Sequence, residues 1–192
     1  MSSLEEASPL GAQWFPVGLA STFPDLGYDE ENLAKYRACG GAELKPGCKV
    51  FQVPRDDSSQ RAEIEIREDG TLQRSEMKGL KDQVLVFQYK GKFHAVDHKC
   101  PHSLYPLSQG VPFDIEDFGI VFSAGLTCPK HGWSFDLFNG AADRGSYELG
   151  VWETQLREVK ISEESQEASE EISKGPNSVD KEVWVRRRQR VG

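Results

Sequence analysis

Apolar residues in this chain come in short bursts broken by Gly, Pro, Asn and Asp, a pattern that predicts strands rather than helices. Residues 14–19 can start a strand, and Lys49-Val50-Phe51-Gln52-Val53 forms another that Pro54 stops. Residues 62–67 alternate apolar and polar side chains and meet Asp69-Gly70, a hairpin signal. Residues 83–89 turn through Lys90-Gly91 into 92–96, and that hairpin delivers the chain to Cys100. Residues 113–118 read as an inserted loop, 119–122 as a strand, and 133–138 as a strand that turns at Asn139-Gly140. Further strand material lies between 147 and 161 and at Val183-Trp184-Val185. One segment reads differently. Residues 29–38 place acids first and bases later ahead of Gly40-Gly41, which predicts one short helix. Taken together, these elements predict an all-β antiparallel sandwich or barrel.

Two stretches fall outside the pattern. Residues 1–12 are polar and read as a flexible N-terminus. Residues 162–181 are rich in Ser and Glu; they bury too little apolar surface to order themselves and read as a flexible acidic insertion. That leaves a single domain over 13–192, long enough to bury a core without disulfides. The run Arg186-Arg187-Arg188 reads as a solvated strand end near the insertion.

Charge and cysteine usage narrow the partners. A formal net charge of −8 argues against nucleic acid, which needs a basic face. Met1-Ser2-Ser3-Leu4-Glu5-Glu6 lacks the basic start and apolar run of a secretory signal, and its acids do not suit a transit peptide. No stretch has the apolar length of a membrane span, so a cytoplasmic location is expected. Four cysteines are too few for a disulfide scaffold, and Cys39 and Cys48 read as free thiols.

The candidate chemistry sits in Cys100-Pro101-His102 and Cys128-Pro129-Lys130-His131: C-x-H, a spacer of twenty-five residues, then C-x-x-H. Two thiolates and two imidazoles can hold a metal centre. A structural Cys₂His₂ zinc is one reading, although zinc fingers usually pair like with like along the chain. Ordinary buried residues are another. The third is a two-iron cluster with both thiolates on one iron and both imidazoles on the other. One Cys and one His per loop suits that last arrangement, because each loop then spans the cluster. His94 and His98 do not fit the ligand spacing and read as structural or surface residues.

The sequence 128–137, CPKHGWSFDL, closely resembles the second ligand loop of Rieske-type [2Fe-2S] proteins. Cys100-Pro101-His102 with Pro106-Leu107 and Gly110 resembles the first, and Phe93-His94-Ala95-Val96-Asp97 resembles the approach strand. The resemblance runs from about 84 to 140. It implies a Rieske-type fold with a small cluster-binding part over about 97–140. It also implies a [2Fe-2S] cofactor held by Cys100 and Cys128 on a buried iron and by His102 and His131 on an outer one. Two departures stand out: Ser103-Leu104-Tyr105 replaces a small, Gly-rich triplet, and the spacer is long.

The same resemblance bears on redox behaviour. Replacing two thiolates by neutral imidazoles raises the potential to roughly −150 to +300 mV. High-potential members of the family carry a disulfide between the loops and two hydroxyl donors to the cluster. The matching positions here are Tyr105 with Lys130, and Trp133 with Phe135, so a potential in the lower half of the range is expected. Beyond the ligand set only His94 and His98 remain; both precede the first ligand loop with no catalytic domain after it, so a complete oxygenase with its mononuclear iron is not expected, and no nucleotide-binding fingerprint appears. The implied role is a ferredoxin-like one-electron carrier between a flavin- or NAD(P)H-dependent reductase and an oxygenase or other acceptor. The alternatives are the small subunit of a larger reductase, or a non-redox zinc module.

Overall fold

The computed structural model describes residues 12–27, 31–39, 43–159 and 180–188. The expected flexible N-terminus and nearly all of the acidic insertion lie outside the described residues. The chain opens with β1 (Phe15–Leu19), β2 (Asp25–Leu26), the antiparallel pair β3 (Tyr36–Cys39) and β4 (Glu43–Pro46), then β5 (Cys48–Gln52) and β6 (Ala62–Ile64). There follow β7 (Gln83–Tyr89), β8 (Lys92–Asp97), β9 (Val111–Asp117), β10 (Ile120–Cys128), β11 (Trp133–Asp136), β12 (Glu153–Glu158) and β13 (Lys181–Arg186).

These strands form a five-stranded sheet in the order β2-β7-β5-β6 with β8 on β7, and two three-stranded sheets, β1-β13-β12 and β9-β10-β11. The alternation of β7 explains how the layers share a core. Val84 and Val86 enter one cluster with Phe15, Phe51, Trp152, Val183 and Val185. Leu85 and Phe87 point the other way, into a cluster with Val50, Val96, Leu126, Phe135 and both candidate cysteines, Cys100 and Cys128. A strand buried on both faces reads as a continuous apolar run, which is what residues 84–87 show. Truncating the fully buried Phe87 to Ala would cost about 3–5 kcal/mol.

The fold class expected from the pattern is the one observed, with local corrections. Residues 31–39 form a turn at Leu33-Ala34 and then β3, not part of a helix over 29–38. Leu33 and Ala34 are buried and their N–H groups donate to the carbonyls of Gly110 and Ser108, so tertiary bonding outweighs the local charge pattern. Helical turns appear instead as short 3₁₀ segments, the longest over Glu76–Asp82. Asp69-Gly70 makes a tight turn in which Gly70 N–H bonds the Arg67 carbonyl, but no paired strand follows it. The expected loop at 113–118 is mostly β9, paired along its length with β10. The arginine run is solvated at Arg188 but half-buried before it. Arg186 pairs with Glu153, and Arg187 lies 4.3 Å above the Trp152 ring.

Candidate metal centre

The β7–β8 hairpin and the β10–β11 hairpin aim two loops at the same end of the molecule. The first loop, entered from β8, is pinned at its base by a bridge between Lys99 and Pro106 and by the Leu107 N–H, which donates to the His98 carbonyl at 2.7 Å. Within it, Cys100 N–H donates to the Tyr105 carbonyl at 2.9 Å and Leu104 N–H to the Cys100 carbonyl at 3.0 Å. The second loop is the turn from Cys128 to Trp133, which are paired across β10 and β11. Its Gly132, with φ 68°, donates to the Cys128 carbonyl at 3.0 Å. Glycine adopts this left-handed backbone without steric cost.

All four residues singled out from the sequence come together here. Cys100 and Cys128 are buried side by side, with 0% and 1% of their surfaces exposed, and neither is in a disulfide. Burial pushes the Cys128 thiol up from its ordinary range, partly offset by the Ser103 hydroxyl and the Lys130 backbone N–H. Two adjacent buried thiolates are unstable unless a cation neutralises them, and a metal supplies that charge. His102 and His131 meet through their Nδ1 atoms, 3.4 Å apart, with His102 half-buried and His131 exposed. The donors thus pair off, sulfur with sulfur and nitrogen with nitrogen. Among the described residues no three His, Cys, Asp or Glu side chains gather round one point as a single-ion site needs. The set suits a group with two metal atoms.

Several surrounding contacts had no clear sequence signal. The Ser103 hydroxyl lies 3.4 Å from Cys128 Sγ, so the first loop places a hydroxyl on the cysteine of the second. The only hint was a serine directly after His102. Trp133 stacks on His102 with ring centroids 4.4 Å apart and planes 19° apart, and Tyr147 sits edge-on to both rings. Arg144 locks this arrangement, donating to the Gly132 carbonyl at 2.7 Å and covering Trp133. Where the family pattern would have a disulfide, Lys130 Nζ sits 5.8 Å above the Tyr105 ring.

The two other histidines are structural. His98 is fully buried, its Nδ1 facing Gln83 Oε1 at 2.8 Å and its Nε2 facing Ser108 Oγ at 2.9 Å. Gln83 Nε2 donates to the Glu76 carbonyl, so its Oε1 accepts from His98 Nδ1–H and Ser108 donates to Nε2. His94 stacks on Phe87 and meets Phe138 edge-on, while among the described residues its buried Nε2 has no hydrogen-bond partner. Burial lowers the His94 pKa to about 4 and the His98 pKa to about 3. Cys48 is buried too, and burial holds its thiol protonated.

An antiparallel β fold carrying a two-sulfur, two-imidazole centre between two loops defines a class of iron–sulfur electron-transfer domain. Residues 60–149 match the Rieske [2Fe-2S] domain, which implies a [2Fe-2S] cluster as the cofactor. Over 97 residues the chain is 34% identical to a 4beta-methylsterol monooxygenase of Methylococcus capsulatus, a match covering 48% of this chain and 24% of that protein. Over 58 residues it is 40% identical to a Rieske domain-containing protein of Homo sapiens, covering 30% of this chain and 34% of that one. The chain therefore spans between a quarter and about a third of the curated relatives it matches. A solved structure described as an NADH-dependent nitrite reductase small subunit from Mycobacterium tuberculosis superposes with a TM-score of 0.48. It shares 14% identity over 93% of this chain and 97% of that one. No helix among the described residues is long and apolar enough to cross a membrane.

Proposed function

We propose that this chain is a one-electron carrier whose cluster is held by Cys100, His102, Cys128 and His131. The observation that carries this reading is the pairing of the donors, two buried sulfurs behind two imidazoles whose Nδ1 atoms face each other. Bound there, the cluster supplies reversible one-electron chemistry. The chain's own residues set the conditions for it. Cys100 and Cys128 anchor the inner side in the core, and half-buried His102 and exposed His131 form the outer edge. Trp133 and Tyr147 fix the His102 ring, and Ser103 donates to the Cys128 sulfur. Leu104, 61% exposed beside the histidines, gives a docking partner an apolar contact next to the exit edge.

The donor we assign is a flavin- or NAD(P)H-dependent reductase, and the acceptor an oxygenase or another redox protein. The partial likeness to a monooxygenase supports an oxygenase as acceptor. A buried free thiol at Cys48 is compatible with a reducing, cytoplasmic setting.

Anaerobically purified protein should contain iron and acid-labile sulfide in equal amounts. On reduction it should give a low-temperature paramagnetic resonance signal of a cluster with mixed sulfur and nitrogen ligation. Colourless protein with one zinc per chain, unchanged by iron–sulfide reconstitution, would sink the proposal.

A further inference from the structure

The long spacer between the two ligand segments folds as the β9–β10 hairpin, and its outer end is unusual. Phe118, Ile120, Val121 and Phe122 are 97%, 70%, 52% and 65% exposed, a contiguous apolar tip. Soluble surfaces rarely carry such a patch without a use. Beyond Ser123, towards the turn, β10 pairs only with β9 among the described residues, so the tip is a bare two-stranded ribbon. The turn itself is strained. Phe118 has φ 49° and Gly119 φ 77°, the two positive angles of a type I′ turn. That turn favours Asn-Gly, and a bulky residue at its first position is a true outlier. Strain held at an exposed aromatic residue points to a role for its side chain.

The same face of the hairpin offers a place for it. Lys92, Val121, Phe122 and Phe138 border a hollow of about 230 Å³ at the base of the ribbon, and Lys92 Nζ lies 5.3 Å from the Phe138 ring centre. Exposed Glu116 and Asp117 flank Phe118 at the tip. The tip is thus an apolar knob beside two acids, and the hollow a socket with Phe122 and Phe138 on its wall, Lys92 at its edge, and the Asp114 carboxylate within it held by Lys90 and Tyr89. One chain carries both halves, which is what a two-fold interface requires.

We propose that the chain forms a symmetric dimer through its β9–β10 hairpins, with Phe118 of each copy seated in the Lys92–Phe122–Phe138 hollow of the other. The tip lies about 27 Å along β10 from Cys128, so the interface leaves the imidazole edge open. The proposal does not depend on the electron-transfer reading.

Sedimentation velocity of the full-length, cluster-loaded protein should show a concentration-dependent monomer–dimer equilibrium. Phe118→Asn gives the turn a preferred residue, so it should keep or raise the melting temperature while weakening dimerisation about ten-fold or more. Lys92→Glu should also weaken it. A chain combining Lys92→Glu with Glu116→Lys and Asp117→Lys should regain wild-type association. A wild-type chain that stays monomeric at every concentration overturns the proposal, and is the result a tip reserved for a different protein would give. A dimer indifferent to Phe118→Asn overturns it too, by placing the interface elsewhere.

Discussion

Leu104 and Gly132 occupy equivalent places in the two ligand loops. The N–H of each bonds back to the carbonyl of its loop's cysteine at 3.0 Å, and each has a left-handed backbone, φ 55° and 68°. In the second loop the residue is a glycine and the conformation is free. In the first it is a leucine, held at a cost of about 1–2 kcal/mol, with its side chain in solvent. The first loop rests on His98, whose two ring nitrogens are both bonded. His94 lies away from both loops, between Phe87 and Phe138 and beside Phe122 to Ala124 of β10, and among the described residues its Nε2 has no hydrogen-bond partner. Equal closing bonds thus hide unequal loops: the first is strained and rests on a fully bonded histidine, the second is relaxed.

The largest test of the comparison is ligand removal. Cys100→Ala and Cys128→Ala should each abolish iron and labile sulfide altogether, measured on anaerobic protein. A variant that kept its full cluster would show the loops to be unequal as ligand sources. Beneath the first loop, His98→Leu should cost about 2–4 kcal/mol in urea unfolding, because it strands Gln83 Oε1 and Ser108 Oγ in the core. His94→Leu strands nothing and should cost about 1 kcal/mol or less.

Acid should separate the two histidines further. With its folded pKa lowered to about 4, His94 stays neutral in the fold but ionises near 6.5 in the unfolded chain. The unfolded state then binds more protons between these values. Stability is complete above about 6.5 and falls by up to roughly 3 kcal/mol as pH drops towards 4. Thermal unfolding of His94→Phe across that window should show a shallower slope.

Ser103→Ala removes a donor to a ligand sulfur and should lower the reduction potential. Phe135→Tyr adds a hydroxyl near the centre and should raise it. Each change is about 60 mV for one hydrogen bond worth about 1.4 kcal/mol, read by redox titration. The smallest effect concerns the closing residues. Leu104→Gly should raise stability by about 1 kcal/mol and Gly132→Ala lower it by a similar amount. Leu104→Gly should also weaken partner docking if the exposed side chain is used there.

The legibility of this molecule follows the same division. The second loop was readable because its ligands and its glycine are adjacent in C-P-K-H-G, so local sequence carries local geometry. The β7–β8 hairpin was readable from its apolar run and its Lys90-Gly91 turn, both residues at positive φ. The β9 segment was not, because Asp114, Glu116 and Asp117 break the apolar pattern that marks a strand. Pairing with β10, with Tyr89 and Lys90 holding Asp114, keeps it extended. Residues 31–39 were misread for a related reason. Their bonds go to Gly110 and Ser108, far along the chain, where no local signal reaches. Ser103 escaped notice because the lack of hydroxyls at 133 and 135 suggested a centre without such donors, and its partner sulfur lies across the fold.

The contact between Lys130 and Tyr105 has one last consequence. An ammonium resting on an aromatic face has no oxidised and reduced form, so thiol chemistry cannot open or close it. Its contribution, about 0.5–1 kcal/mol at an exposed site, persists in strong reductant. Dithiothreitol should therefore leave the spacing of the two loops unaltered, so the reduced centre should give the same resonance signal whether a thiol or a non-thiol reductant is used.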